Sequence, residues 1–141
     1  MTVFFDTSVL VATVLLQHPQ HRPSLLAYVQ ARKADSFCGA HSLAELYATL
    51  TRLPGSQRLS CEDASLFIQD VRKRLSIITL SQEDYLETIS SLVAAHISGA
   101  AVYDALLAKC AMKSGAEVLY TWNVDDFRRL SPAIAMKVQS P

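Results

Sequence analysis

Short apolar runs alternate along this chain with longer segments whose apolar residues recur three or four positions apart. These are the signatures of strands and of amphipathic helices. Val3-Phe4-Phe5 is a β-prone run closed by Asp6-Thr7-Ser8. Val9, Leu10, Ala12, Val14, Leu15 and Leu16 then predict a largely buried helix, with Ser or Thr at the junction to cap it. Pro19 and Pro23 break the chain, and a second helix fits Ser24 to Lys33 with Leu25, Leu26 and Val29 on its apolar face. Phe37-Cys38-Gly39 is a strand candidate, and His41 to Leu53 has helical spacing at Leu43, Leu46, Tyr47 and Leu50. Leu53-Pro54-Gly55-Ser56 is a stop and turn. Ser60, with Asp63 three residues on, opens a helix whose core face is Ala64, Phe67, Ile68 and Val71. Ile77 to Leu80 is a further strand, and Ser81 with Asp84 caps a helix carrying Tyr85, Ile89, Leu92 and Val93. His96 to Ala101 reads as a loop, Val102 to Ser114 as a helix, and Gly115 as its C′ residue. Glu117 to Tyr120 is a strand, Thr121 to Asp126 a polar loop, and Met136-Lys137-Val138 a last short strand.

Strands alternating with helices predict an α/β fold with a mostly parallel sheet covered on both faces. The 141 residues, without repeat or linker, fit a single domain spanning 1–141. Half the residues are apolar, which excludes a disordered chain. Cys38, Cys61 and Cys110 are odd in number and form no CxxC. Each reads as a small buried hydrophobe in a reduced, cytoplasmic setting. The N-terminus lacks the basic stretch of a signal peptide, and no apolar run approaches the ~20 residues of a membrane helix.

The polar residues at strand ends carry the chemistry. In open parallel sheets, sites lie beyond the carboxyl ends of the strands. Asp6 follows the first strand directly, and Asn123, Asp125 and Asp126 follow the strand ending at Tyr120. Asp104 stands at a helix start, and Glu45 lies inside the helix after Phe37. An Asp at a helix start is ordinarily a cap or a dipole partner. Glu45 is less ordinary: among Leu43, Ala44, Leu46 and Tyr47 it costs desolvation energy unless paired or bound to a cation. Carboxylates gathered at one sheet edge repel one another and raise each other's pKa. An oxygen-only cluster of this kind suits Mg²⁺ or Mn²⁺, which activates water for attack on a phosphodiester. His41 shares a helix face with Glu45, but no further His or Cys motif supports zinc.

Four segments, in order, resemble the PIN-domain family, and in particular the VapC-type toxins of type II toxin–antitoxin modules. Phe5-Asp6-Thr7-Ser8-Val9-Leu10 is similar to the family's opening DTS/DTN motif. Ser42-Leu43-Ala44-Glu45-Leu46-Tyr47 and Tyr103-Asp104-Ala105-Leu106-Leu107-Ala108 resemble its second and third acidic motifs. Thr121-Trp122-Asn123-Val124-Asp125-Asp126-Phe127 resembles the closing TxNxxDF motif. The resemblance runs from Val3 to Leu130. It implies a PIN-like three-layer α/β/α fold and a metal-dependent endoribonuclease that hydrolyses RNA phosphodiester bonds. Asp6, Glu45 and Asp104 match the family's three central carboxylates, and Asp126 is taken as the fourth. The same resemblance implies that Asp6, Asp104 and Asp126 hold Mg²⁺ or Mn²⁺, and that Glu45 completes the shell or helps activate water. Ser8, Thr121 and Asn123 become supporting residues, and Asp125 a solvated loop residue. It further implies a VapB-like antitoxin, a homodimer and no membrane.

Two other classes stand beside this one. A catalytically silent PIN-like module would bind RNA or protein only, but all four acidic positions are occupied. An aspartate-based phosphotransfer domain would need a second Asp where Ser8 stands, or an acidic pair before its phosphoacceptor. Charge first argues against nucleic acid: 13 basic and 13 acidic residues give no net charge. One or two divalent ions in the acidic cluster would raise it to about +2 to +4, so weak RNA binding without metal is expected.

Overall fold

The computed structural model describes residues 1–141. Five strands form one parallel sheet: β1 (Val3–Phe5), β2 (Ser36–Gly39), β3 (Ser76–Ile78), β4 (Val118–Tyr120) and β5 (Val138–Gln139), in the order β3-β2-β1-β4-β5. Helices cover both faces: α1 (Thr7–Val14), α2 (His21–Val29), α3 (Ala40–Arg52), α4 (Cys61–Arg74), α5 (Gln82–Ala94), α6 (Ala101–Ser114), α7 (Val124–Arg128) and α8 (Pro132–Ala135). A 3-10 turn, Gly55–Gln57, links α3 to α4. The three-layer α/β/α architecture matches the sequence pattern.

β1 is the central strand, and its three residues are buried on both sides of the sheet. Side chains alternate along a strand. Val3 and Phe5 therefore join the core with Leu10, Leu46, Leu50 and Val71, while Phe4 joins Leu107, Leu119, Phe127 and Val138 opposite. Burying each phenylalanine contributes roughly 1.5–3 kcal/mol. The chain grows outward from β1 first through β2 and β3, then crosses back to β4 on the other side. That reversal opens a crevice at the carboxyl ends of β1 and β4. Gly39, at the end of β2, lets α6 close on the sheet. A Cβ there would lie 2.9 Å from Leu107 Cδ2 and 3.3 Å from Cys110 Sγ.

Several local expectations are corrected. The first helix begins at Thr7 and ends at Val14, and Leu16 is exposed rather than buried. Its cap is Asp6, not Ser or Thr. The second helix starts at His21 and ends at Val29, with Pro23 inside its first turn, where proline's missing N–H costs nothing. Leu25, Leu26 and Val29 on that helix are exposed, and Ser24 and Tyr28 are the buried ones. On α5, Tyr85, Ile89 and Val93 are exposed and only Thr88 and Leu92 are buried. Cys61 is exposed at the start of α4, unlike Cys38 and Cys110. The segment Thr121 to Asp126 is not all loop, since α7 begins at Val124. The last strand is Val138–Gln139, after the short α8.

Candidate active site

Asp6 forms the floor of a cleft at the carboxyl ends of β1 and β4. Its backbone N–H still bonds Tyr120 O (2.9 Å), the last rung of the β1–β4 ladder. Its side chain caps α1 by accepting the Ser8 N–H (3.4 Å). The same carboxylate atom, Oδ2, accepts the hydroxyls of Ser8 and Thr121, each at 2.7 Å. Those hydroxyls are themselves held, since Ser8 Oγ accepts from Trp122 N (3.0 Å) and Thr121 Oγ1 from Asn123 N (2.9 Å). Oδ1 accepts from no side chain and is not sealed in the core, which leaves it to the cleft. Only 3% of Asp6 is exposed. Burial raises its pKa, and the Ser8 and Thr121 hydrogen bonds pull the other way.

Glu45 enters from the second turn of α3. Its Oε1 accepts from Thr7 Oγ1 (2.9 Å), which also lies 2.8 Å from the buried Ser42 Oγ. The expected cost of a carboxylate among leucines is therefore met by a hydroxyl pair beneath it. Asp104 sits in the first turn of α6. Its carboxyl is pushed up to about 6, by partial burial first and then by the negative charges of Asp6, Asp126 and Glu45, with Arg129 opposing. Asp104 thus feels the carboxylates of three other elements, and the four are those the sequence singled out.

They are not equivalent. Asp6, Glu45 and Asp104 line one cleft of about 350 Å³, together with Ser8, Trp122 and Asn123. Asp126 lies on α7 outside that lining, at the rim, paired with Arg129. Asp125 is exposed, as expected, but on α7 rather than on a loop. No three His, Cys, Asp or Glu side chains are clustered closely enough to encase an ion unaided. The donors are all oxygen, one oxygen of Asp6 accepts no side-chain hydrogen bond, and partial burial followed by the neighbouring carboxylates lifts Asp104. This set fits a hard divalent cation held by few direct ligands and completed by water.

Six residues of the site escaped the sequence reading. Thr7, Val11, His18, Ser42, Thr49 and Trp122 touch or line the cleft. Thr7 had a signal, as the residue between two singled-out positions of the opening motif. His18 had none, because it reaches the site from the turn between α1 and α2.

The PIN domain family model matches residues 3–131. The chain belongs to the PIN-domain family. Ribonuclease VapC27 of Mycobacterium tuberculosis is 34% identical over 113 residues, covering 80% of this chain and 79% of that protein. Ribonuclease VapC40 of the same organism is 32% identical over 114 residues, 81% of each. These relatives place this PIN domain in the VapC type. Among solved structures, M. tuberculosis VapC20, a sarcin-ricin loop cleaving toxin, superposes with a TM-score of 0.70 at 16% identity over 89% of this chain and 92% of that one. VapBC2 from Rickettsia felis, bound to a DNA fragment from their promoter, gives 0.68 at 19% identity over 99% and 98%. At those identities the likeness speaks for the PIN fold. No helix of this PIN domain is long and apolar enough to cross a membrane.

Proposed function

We propose that this VapC-type PIN domain is an endoribonuclease whose cleft hydrolyses RNA phosphodiester bonds with Mg²⁺ or Mn²⁺, as the toxin of a VapBC-type pair. The observation that carries the reading is the convergence of Asp6, Glu45 and Asp104 on one cleft, on the chain of a family whose relatives are ribonucleases. Asp6 Oδ1, Asp104 and, from the rim, Asp126 would hold the cation, directly or through water. When bound it offsets the charge of the phosphate and acidifies a water for attack.

The chain's own groups do the rest. Ser8 and Thr121 fix Asp6 through Oδ2, so Oδ1 keeps one direction. Thr7 fixes Glu45 through Oε1, which leaves Oε2 to take a proton from the attacking water. Trp122 donates its indole N–H to Ser24 (2.8 Å), packing the β4 exit loop against α2 and walling the cleft.

A small VapB-like antitoxin is the proposed partner, in the cytoplasm, with a homodimer as the working assembly. The apolar side chains exposed on α2 (Leu25, Leu26, Val29) and α5 (Tyr85, Leu86, Ile89, Val93) support protein interfaces of this sort. The deciding experiment digests a labelled RNA with the purified chain in Mg²⁺ and in EDTA. Cleavage in Mg²⁺ that stops on chelation is expected; cleavage indifferent to EDTA rejects the metal-dependent reading, and intact RNA in both rejects the ribonuclease.

A further inference from the structure

A polyanion entering this cleft meets three carboxylates, and the lining offers little to receive a phosphate. The hydroxyls of Thr7 and Ser8 are spent on Glu45 and Asp6, and the indole N–H of Trp122 on Ser24. The side-chain N–H donors left in the lining are those of Asn123 and His18. His18 is also the only lining side chain able to carry positive charge.

The turn holding His18 is fixed on three sides. His18 N–H donates to Leu15 O (3.0 Å), and His18 O accepts from His21 N (3.0 Å). Nδ1 of the ring accepts the Gln20 backbone N–H at 3.0 Å. An Nδ1 that accepts carries no proton, so the neutral ring has its proton on Nε2. Nε2 has no acceptor in the protein: no hydrogen bond uses it, and it is not buried. Pro19 stiffens the turn further by fixing its own φ. A half-buried side chain is thus held in one tautomer, with one unused donor, beside the acids.

The geometry points to His18 as a phosphate-positioning residue that donates from Nε2–H to a non-bridging phosphate oxygen of bound RNA. This rests on the ribonuclease reading of the same cleft. The donor comes from the α1–α2 turn, while the carboxylates come from β1, α3 and α6. It orients the substrate without adding another ligand to the acidic cluster. The hydrogen bond is made in the ground state as well as later, so its loss raises KM and spares kcat.

The competing role is structural, with His18 merely tying the turn through Nδ1. His18→Asn separates the two. Its side-chain oxygen can take the Gln20 N–H in an Asx turn, but it has no donor at the Nε2 position. The test measures Mg²⁺-dependent cleavage of a short fluorescein-labelled single-stranded RNA of mixed sequence, beside thermal unfolding, for wild type, His18→Asn and His18→Gln. Expected for His18→Asn is an unchanged unfolding temperature, a KM raised about tenfold or more, and a kcat close to wild type. His18→Gln, which keeps an amide N–H near Nε2, is expected to recover most of the KM. A wild-type KM in His18→Asn overturns the inference, as does a loss seen only in unfolding temperature or only in kcat. Cleavage absent from the wild type itself removes the ribonuclease reading and this inference with it; cleavage present with a silent His18→Asn removes this inference alone.

Discussion

The floor and the rim of the acidic cleft are built on opposite plans. At the floor, Asp6 is buried, caps a helix and accepts two hydroxyls on one oxygen. Those hydroxyls are in turn fixed by backbone N–H groups of the chain leaving β4. At the rim, Asp126 rides on the five-residue α7, about half exposed, with Arg129 as its partner. The floor is wired into the sheet; the rim is a surface ion pair that water and salt screen. The difference teaches which acid the fold fixes in place and which is left to move on the surface.

Substitutions at the floor have the largest expected effects. Asp6→Asn is expected to cut metal-dependent RNA cleavage by about a thousandfold or more, the scale of several kcal/mol of lost transition-state stabilisation. The unfolding temperature of the metal-free variant should equal or exceed that of wild type, since burial disfavours the Asp6 charge. A variant that also unfolds early would show that Asp6 serves the fold first.

Thr121→Val comes next. It removes one hydroxyl from Asp6 and the acceptor of the Asn123 N–H, both buried or partly buried. A loss of about 1–3 kcal/mol in denaturant unfolding is expected. Cleavage should fall by roughly ten- to a hundredfold, since supporting partners of this kind tune metal affinity on that scale.

Asp104 links floor to rim, and its effect is read by pH. Its folded pKa, about 6, lies above the ordinary 3.8, so the folded chain binds its proton more tightly than the unfolded chain does. Stability is therefore expected to fall as pH rises from about 4 through about 6 in metal-free protein. Asp84, whose pKa is lowered to about 2 by Lys113 and the Ser81 cap, acts in the opposite sense, and only below about pH 4. Thermal unfolding in EDTA at about pH 5 and about pH 8 brackets the Asp104 carboxyl, and Asp104→Asn should flatten the difference. An equal pH slope in Asp104→Asn would place the cause elsewhere.

The rim gives the smallest changes. Asp126→Asn is expected to lower cleavage about tenfold and to leave stability within about 0.5 kcal/mol. Arg129→Ala, which breaks the exposed pair, is worth about 0–1 kcal/mol. If Asp126→Asn matches Asp6→Asn in cleavage, the two regions are not distinct in function.

Much of this was legible in the sequence, for physical reasons that also mark where legibility ends. A β-prone apolar run closed by Asp-Thr-Ser reads as a strand with its acid at the carboxyl end, and β1 and Asp6 match that reading. Glu45 stood out as a charge on an apolar face. The short α7 and α8 did not, because five and four residues are too few to show a helical period. Leu25, Leu26 and Val29 share a face in sequence, but which face of α2 meets the core is decided by Tyr28, whose hydroxyl reaches Asp70 on α4 (2.5 Å). Cys61 is apolar by type but stands at the start of α4, where it is exposed. His18 was invisible for another reason: only the folded turn brings it to residues far along the chain.

The central claim is that the carboxylates around Asp6 hold a divalent cation. Calorimetric titration of the metal-free chain with Mn²⁺, in wild type and in Asp6→Asn, tests it without recourse to activity. Saturable binding by wild type, displaced by Mg²⁺ and lost in Asp6→Asn, is predicted. Equal binding by both proteins, or no binding by a wild type that still cleaves RNA, would contradict it.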